Sequence, residues 1–346
     1  MRNHAQIVRV AFTYIGTVVG AGFASGQEIL QFFTRYGSLA TFTIALSTVL
    51  FIWIGIQLML MAHDLKAESY EDLNKVLFGE KIGKWISLFM MVVLFGITTV
   101  MLAGAGTVFE EQLHLSYTTG LLITLVLSYV ILTRGIKAIM TVNSIVVPIM
   151  LLFSFIIVVY TWHSPTSGNW LRISSEDSLV RVWFAPFLYT AFNLAMAQAV
   201  LVPMGGAIRD RSVLYWGGLL GGAGIGLLLL AAHYALSAQM PGIAQFEIPM
   251  GNIMTKLGYF PQVAYLLVIY GEIFTTFIGD AYGLSMQLQQ RIKIPPKLLL
   301  IVILLLSYAI SHIGFKTLLT ALYPLFGVVS VVWLVLMIWR NRRSTL

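Results

Sequence analysis

The sequence predicts an all-α polytopic membrane protein of about ten transmembrane helices, built as a 5+5 inverted repeat. Three observations carry this. First, 58% of the 346 residues are hydrophobic and only 10% are charged, with a mean hydropathy of +0.87. The apolar runs are continuous rather than alternating, which excludes a β-barrel. Second, the basic residues alternate in number from one connection to the next. Third, two long spans in corresponding places, the first and the sixth, are interrupted by helix-breaking residues.

About twenty apolar residues cross the hydrocarbon core. By that measure the spans fall near 7–34, 37–62, 83–109, 117–133, 139–162, 180–207, 213–238, 259–288, 297–312 and 317–339. With both ends cytoplasmic, all but five of the 21 basic residues lie on the inner side. The five exceptions are Arg35, Arg172, Arg181, Lys256 and Lys316. That bias is the positive-inside signal, so the net charge of +7 reflects topology in a cell membrane rather than nucleic-acid binding. There is no cysteine, hence no disulfide and no thiolate metal site. No short apolar stretch ending in a cleavage site opens the chain, so the first span is expected to act as the insertion signal.

Three connections are long enough to hold structure. Residues 63–82 are polar and of mixed charge and predict a short amphipathic cytoplasmic helix. Residues 163–179 carry turn chemistry and form an outer loop. Residues 239–258, with two prolines, read equally as a re-entrant outer hairpin or a surface loop. The outer loop divides the chain into a first repeat (1–162) and a second (180–346). Five spans per half is an odd number, so the halves have opposite orientation in the membrane, as an inverted repeat requires.

The first span contains GTVVGAGFASGQE at 16–28, with glycines at 16, 20, 22 and 26. Glycine weakens a helix. Backbone freed inside a membrane must be buried in protein or line a cavity. The stretch therefore reads as a broken helix, the competing reading being close packing through small residues. The sixth span holds Pro186 and Pro203 with Asn193 and Gln198 between them, and is expected to break near Tyr189 to Asn193.

The glycine-rich first span, the ten-span count and the 5+5 layout resemble the amino acid–polyamine–organocation (APC) superfamily of LeuT-type fold. Within it, the chain is most similar to the YkvI-type bacterial membrane-protein family. The resemblance covers essentially the whole chain, and the first span is its most specific part. It implies a secondary transporter working by alternating access, or a germinant-receptor-like subunit that senses amino acids without net transport. With no P-loop and no nucleophile motif, an enzyme and an ATP-driven pump are both disfavoured.

A broken helix presents free N–H groups at one new end and free carbonyls at the other. Gly20, Ala21 and Gly22 would then receive a carboxylate, while the carbonyls from Thr17 to Val19 would suit an ammonium group or Na⁺. Tyr189, Phe192 and Asn193 would complete the substrate site. The expected ligand is an amino acid or related amine, with no cofactor beyond Na⁺ or H⁺ as coupling ion. LeuT-type sodium symporters hold Na⁺ with a hydroxyl pair of the eighth span and two carbonyls of the first. That implies Gly16, Val19, Thr275 and Thr276 here. Alternatively, the two threonines bond back to their own helix.

Proton-coupled relatives in the superfamily often place a lysine in the fifth span where sodium would sit. The fifth span here has none, so the resemblance implies Na⁺ over H⁺, with H⁺ carried by a carboxylate as the alternative. Glu272, the most deeply placed carboxylate, is the proton-coupling candidate. Asp280 is expected to be a snorkelling end charge rather than a gate, and His233 a packed histidine. Asn143 is expected to bond between helices. Glu28 faces the outer pathway or caps local backbone, and Glu110 and Glu111 are solvated.

Overall fold

The computed structural model describes residues 2–174, 177–246, 248–313 and residue 330. It is all-helical. The first span runs as α1 (Arg2–Val18), α2 (Ala21–Ser25) and α3 (Gln27–Phe32), followed by a 3₁₀ turn at Thr34–Tyr36. Then come α4 (Leu39–Leu65), α5 (Tyr70–Phe78), α6 (Glu80–Thr107), α7 (Tyr117–Leu132), α8 (Ile136–Trp162) and α9 (Asn169–Arg172). The second half holds α10 (Leu179–Ala207), α11 (Arg211–Ser237), α12 (Pro249–Thr255), α13 (Tyr259–Arg291) and α14 (Pro296–Ser311).

Among the described residues, six helices are long and apolar enough to cross a membrane, and α7 and α14 are shorter apolar helices. Every expected span from the first to the ninth thus has a helical counterpart. The tenth, 317–339, lies outside the described residues.

Burial separates core from periphery. The apolar window of α10 is 83% buried, against 22% for α8. Helix α10 packs along α4, which packs along α11, which packs along α1. Exposed side chains such as Val126, Phe155, Leu227 and Leu305 face outward as a lipid-contacting surface. Between α11 and its neighbours the spacing is set by glycine. A Cβ on Gly218 would lie 2.7 Å from Ile56 Cγ1, and one on Gly222 would lie 2.8 Å from Ile52 Cα. A Cβ on Gly226 would lie 2.8 Å from Thr48 Cβ. This i, i+4, i+8 row seats α11 against α4. Gly217 and Gly221 on the next face meet Val10 and Tyr14 of α1. Small-residue rows let membrane helices approach backbone to backbone.

The cytoplasmic connection folds as expected into α5. Its N-cap Ser69 accepts from the Glu71 N–H, and Asp72 accepts from the Ser69 N–H, a capping box. Buried Glu71 then joins α5 to α13: Arg291 Nε donates to it at 2.9 Å and Gln287 Nε2 at 3.2 Å, with Lys75 Nζ 2.9 Å away. Residues 239–258 form a 3₁₀ turn (Gly242–Gln245) and α12, whose Ile253 and Met254 are buried. Met250 of α12 packs on Gly26. The segment is therefore a cap seated on the outer half of the first span.

One expectation is corrected. The sixth span is not broken at Tyr189 to Asn193: α10 runs continuously through both prolines. A proline removes a single helix bond, and in a protein-packed helix the loss is absorbed locally. Asn193 Nδ2 donates to the Tyr189 carbonyl at 2.9 Å, adding a bond where an opening was expected.

Candidate functional site

The first span is broken at the expected glycines. The last backbone bond of α1 runs from Val19 N to Ile15 O (2.8 Å), and the ladder resumes with Ala24 N to Gly20 O (2.9 Å). Between them the carbonyls of Gly16 to Val19 and the N–H groups of Gly20 to Phe23 stand outside the helical ladder. Gly20 is extended (φ −117°, ψ −166°), and a second break at Gly26 (φ +89°) divides the outer half into α2 and α3. Only glycine adopts that positive φ without strain.

The break opens onto a cavity of about 50 Å³. Its walls come from Thr17, Val18, Gly20, Ala21, Gly22 and Glu28 of the first span, and from Ile97, Val100 and Met101 of α6. Phe192, Asn193 and Met196 of α10 and Thr276 and Asp280 of α13 close it. Five of the expected substrate residues, Gly20, Ala21, Gly22, Phe192 and Asn193, therefore share one cavity. Tyr189 does not line it. It is 1% exposed and lies in an aromatic cluster with Phe32, Phe33 and Phe51, at centroid distances of 5.4, 5.0 and 6.1 Å. That cluster ties α3, α4 and α10 together on the outer side of the cavity.

Of the four residues expected around Na⁺, Thr276 lines the cavity, while Gly16, Val19 and Thr275 lie beside it without lining it. Thr276 meets Gly20: a Cβ there would lie 3.1 Å from the Thr276 hydroxyl. Gly16 instead faces α8, where a Cβ would lie 2.9 Å from both Asn143 Cγ and Val147 Cγ2. Thr275 and Thr276 each donate to the Glu272 carbonyl at 3.0 Å. Both hydroxyls thus bond back to their own helix while keeping oxygen lone pairs. Val19 is fully buried. Asn143 Nδ2 donates to Ile139 O (3.0 Å), a bond within its own helix where one between helices was expected. Its Oδ1 has no hydrogen-bond partner among the described residues.

Glu272 is fully buried one turn from Thr276. Neither of its carboxyl oxygens has a hydrogen-bond partner among the described residues, and it does not line the cavity.

One carboxylate departs from the expectations, and a second was open between two. Asp280 is not a snorkelling end charge: it is 4% exposed, lines the cavity, and its Oδ2 has no partner among the described residues. The helical register of α13, with Thr276 and Asp280 four residues apart, turns both inward. Glu28, for which the outer pathway and a local backbone cap were both open, lines the cavity. Its side chain folds back over the α2 terminus, where a Cβ on Gly22 would lie 2.6 Å from Glu28 Cδ and 2.8 Å from its Cγ. The Gly26 break makes this return possible by redirecting α3. The α6 wall was not legible beforehand, because Ile97, Val100 and Met101 are apolar residues in an apolar span.

Two further buried polar residues, His233 and Tyr265, join neighbouring elements. His233 Nδ1 lies 3.2 Å from Thr34 Oγ1 and 3.1 Å from Ser237 Oγ, as expected of a packed histidine. Tyr265 donates to the Ala24 carbonyl at 2.6 Å, fastening α2 to α13. Glu110 is exposed, and the Glu111 side chain lies outside the described part of the chain.

No family model matches the chain. It is 39% identical over 329 residues to the uncharacterized membrane protein YkvI of Bacillus subtilis (strain 168), covering 94% of this chain and 93% of that protein. The chain belongs to the YkvI family. The YyaD protein of the same organism is 26% identical over 325 residues, covering 93% of each.

Among solved structures, this YkvI-family chain superposes on MhsT in complex with L-phenylalanine with a TM-score of 0.67 and 15% identity, covering 90% of this chain and 79% of that one. Mhp1, a nucleobase-cation-symport-1 family transporter in a closed conformation with bromovinylhydantoin bound, gives 0.61 at 13%, covering 94% and 77%. A mutant of a manganese transporter from Eremococcus coleocola gives 0.60 at 13%, covering 94% and 75%. At such identities the likeness shows the fold, which is LeuT-like.

Proposed function

We propose that this protein is a cation-coupled secondary transporter of a small amine-bearing solute, an amino acid or a related amine, working by alternating access. One observation carries the reading. The interruption of the first span at Val19–Gly20 opens onto a cavity walled by α6, α10 and α13 as well as by the break itself. Free backbone at membrane depth is sustained where it lines such a site. A bundle that served only packing would have no reason to release these groups. The solved neighbours of the same fold include MhsT in complex with L-phenylalanine and the transporter Mhp1 with bromovinylhydantoin bound, which supports a small organic solute.

The coupling ion is assigned to the same region. Thr276 beside Gly20, Thr275 and the released carbonyls of Gly16 and Val19 offer hard oxygen ligands for Na⁺. Glu272 and Asp280 offer carboxyls for H⁺. A coupling ion acts by favouring one conformation through differential affinity. One helical bundle would then rock against a scaffold.

Uptake into proteoliposomes tests the reading. Labelled amino acids and amines are offered with an inward Na⁺ gradient, with K⁺ in its place, and with an imposed pH gradient. Accumulation driven by one gradient is the expected result. Saturable binding with no accumulation under any gradient would replace the transporter by a ligand-sensing receptor.

A further inference from the structure

The cavity has an electrostatic character that sequence pattern did not reveal. Glu28 and Asp280 both line it, from the first span and from α13, and among the described residues no Lys, Arg or His does. Glu28 lies over Gly22, the ground where a bound carboxylate would have approached the α2 terminus. Asp280 is 4% exposed with Oδ2 lacking a partner among the described residues. A second anion brought to this place would meet the chain's own carboxylate in a water-poor site, where like charges repel strongly. A cation would meet two opposite charges, and would offset the costly burial of Asp280. The rest of the wall, including Val100, Met101, Phe192 and Met196, is apolar.

We propose that the ligand of this cavity is an organic ammonium ion without a free carboxylate, its charged head held by Glu28 and Asp280 and its apolar body by the α6 and α10 walls. Glu28 stands where the ligand's own carboxylate would be in a zwitterion site. The Asn193 and Thr276 side chains supply the remaining polar contacts. This rests on the reading of the cavity as the transport site and narrows its substrate class.

The test uses the purified full-length protein and matched pairs that differ by one carboxylate: phenethylamine with L-phenylalanine, isoamylamine with L-leucine, and putrescine with L-ornithine. Binding is read by thermal shift and calorimetry. The expected result is that at least one amine binds, and binds at least tenfold more tightly than its amino acid. Glu28→Gln and Asp280→Asn should each weaken that amine at least tenfold, while ligand-free melting shows both variants folded. An amino acid that binds as tightly as its amine overturns the substrate class and leaves the transport-site reading standing. Failure of every member of every pair to bind overturns both. Amine binding indifferent to both substitutions overturns the placement of the head. The comparison within each pair needs only the unmodified protein, so misfolding of a variant does not remove the test.

Discussion

Replacing Gly22 by alanine separates the cavity's chemistry from the stability of the fold. The added Cβ would overlap the Glu28 carboxyl group, with Cδ at 2.6 Å and Cγ at 2.8 Å. The three nearest atoms all belong to one flexible side chain, so the closest overlap is relieved when Glu28 swings away. Gly22 lies within α2, where alanine is favoured over glycine by about 1 kcal/mol. Folding should therefore be nearly unchanged or slightly improved. Binding should not. A displaced Glu28 loses its contact with a bound ammonium head, and a charge-assisted hydrogen bond contributes about 1.5–3 kcal/mol. That corresponds to about ten- to hundredfold weaker binding. The assay is calorimetric titration of the best-binding amine against both proteins, with melting temperatures recorded alongside. Unchanged affinity with unchanged melting would refute the assignment of Glu28 to the ligand. A collapse in melting temperature would refute the premise that only Glu28 has to move.

Three further outcomes follow from the geometry. Thr276→Ala removes the hydroxyl facing Gly20 and should weaken the Na⁺ dependence of uptake; an identical Na⁺ titration would place the ion elsewhere. Gly222→Ala puts a methyl group 2.8 Å from backbone atoms of Ile52. Such overpacking should cost about 1–3 kcal/mol, read as a lower melting temperature in detergent. Burial pushes the Glu71 carboxyl up, but its hydrogen bonds to Lys75, Arg291 and Gln287 outweigh this and hold it below its ordinary value. Its contribution is thus present above the unfolded carboxylate pKa of about 4.3 and is lost as pH falls through the lower folded value. Glu71→Gln should melt lower than the unmodified protein at pH 7, with the gap closing in acid; a gap independent of pH would leave the cluster without an electrostatic role.

Much of the architecture was legible in the residues themselves. Span length and the basic-residue bias follow from the thickness and asymmetry of a bilayer, which act on each segment separately. The helix break at Val19–Gly20 was likewise local, because a run of glycines weakens a helix wherever it occurs. The short helix after Ser69 belongs to the same class.

The sixth span shows the limit of local reasoning. Pro186 and Pro203 mark lost bonds, but whether a helix opens there depends on what surrounds it, and most of α10 is buried among its neighbours. The glycine row of α11 is visible in the sequence, yet only the neighbours α4 and α1 give its glycines their roles. For Asp280 and Glu28 the sequence determined charge and position, not direction. A helix phase relative to its partners turned Asp280 inward, and the helix break at Gly26 brought Glu28 back over Gly22. The sequence by itself determined a bundle of membrane helices with a weakened first span. Tertiary structure alone decided that two carboxylates would share the cavity this weakness opens. The membrane acts on every span alike, whereas the character of a cavity depends on which faces of distant spans meet.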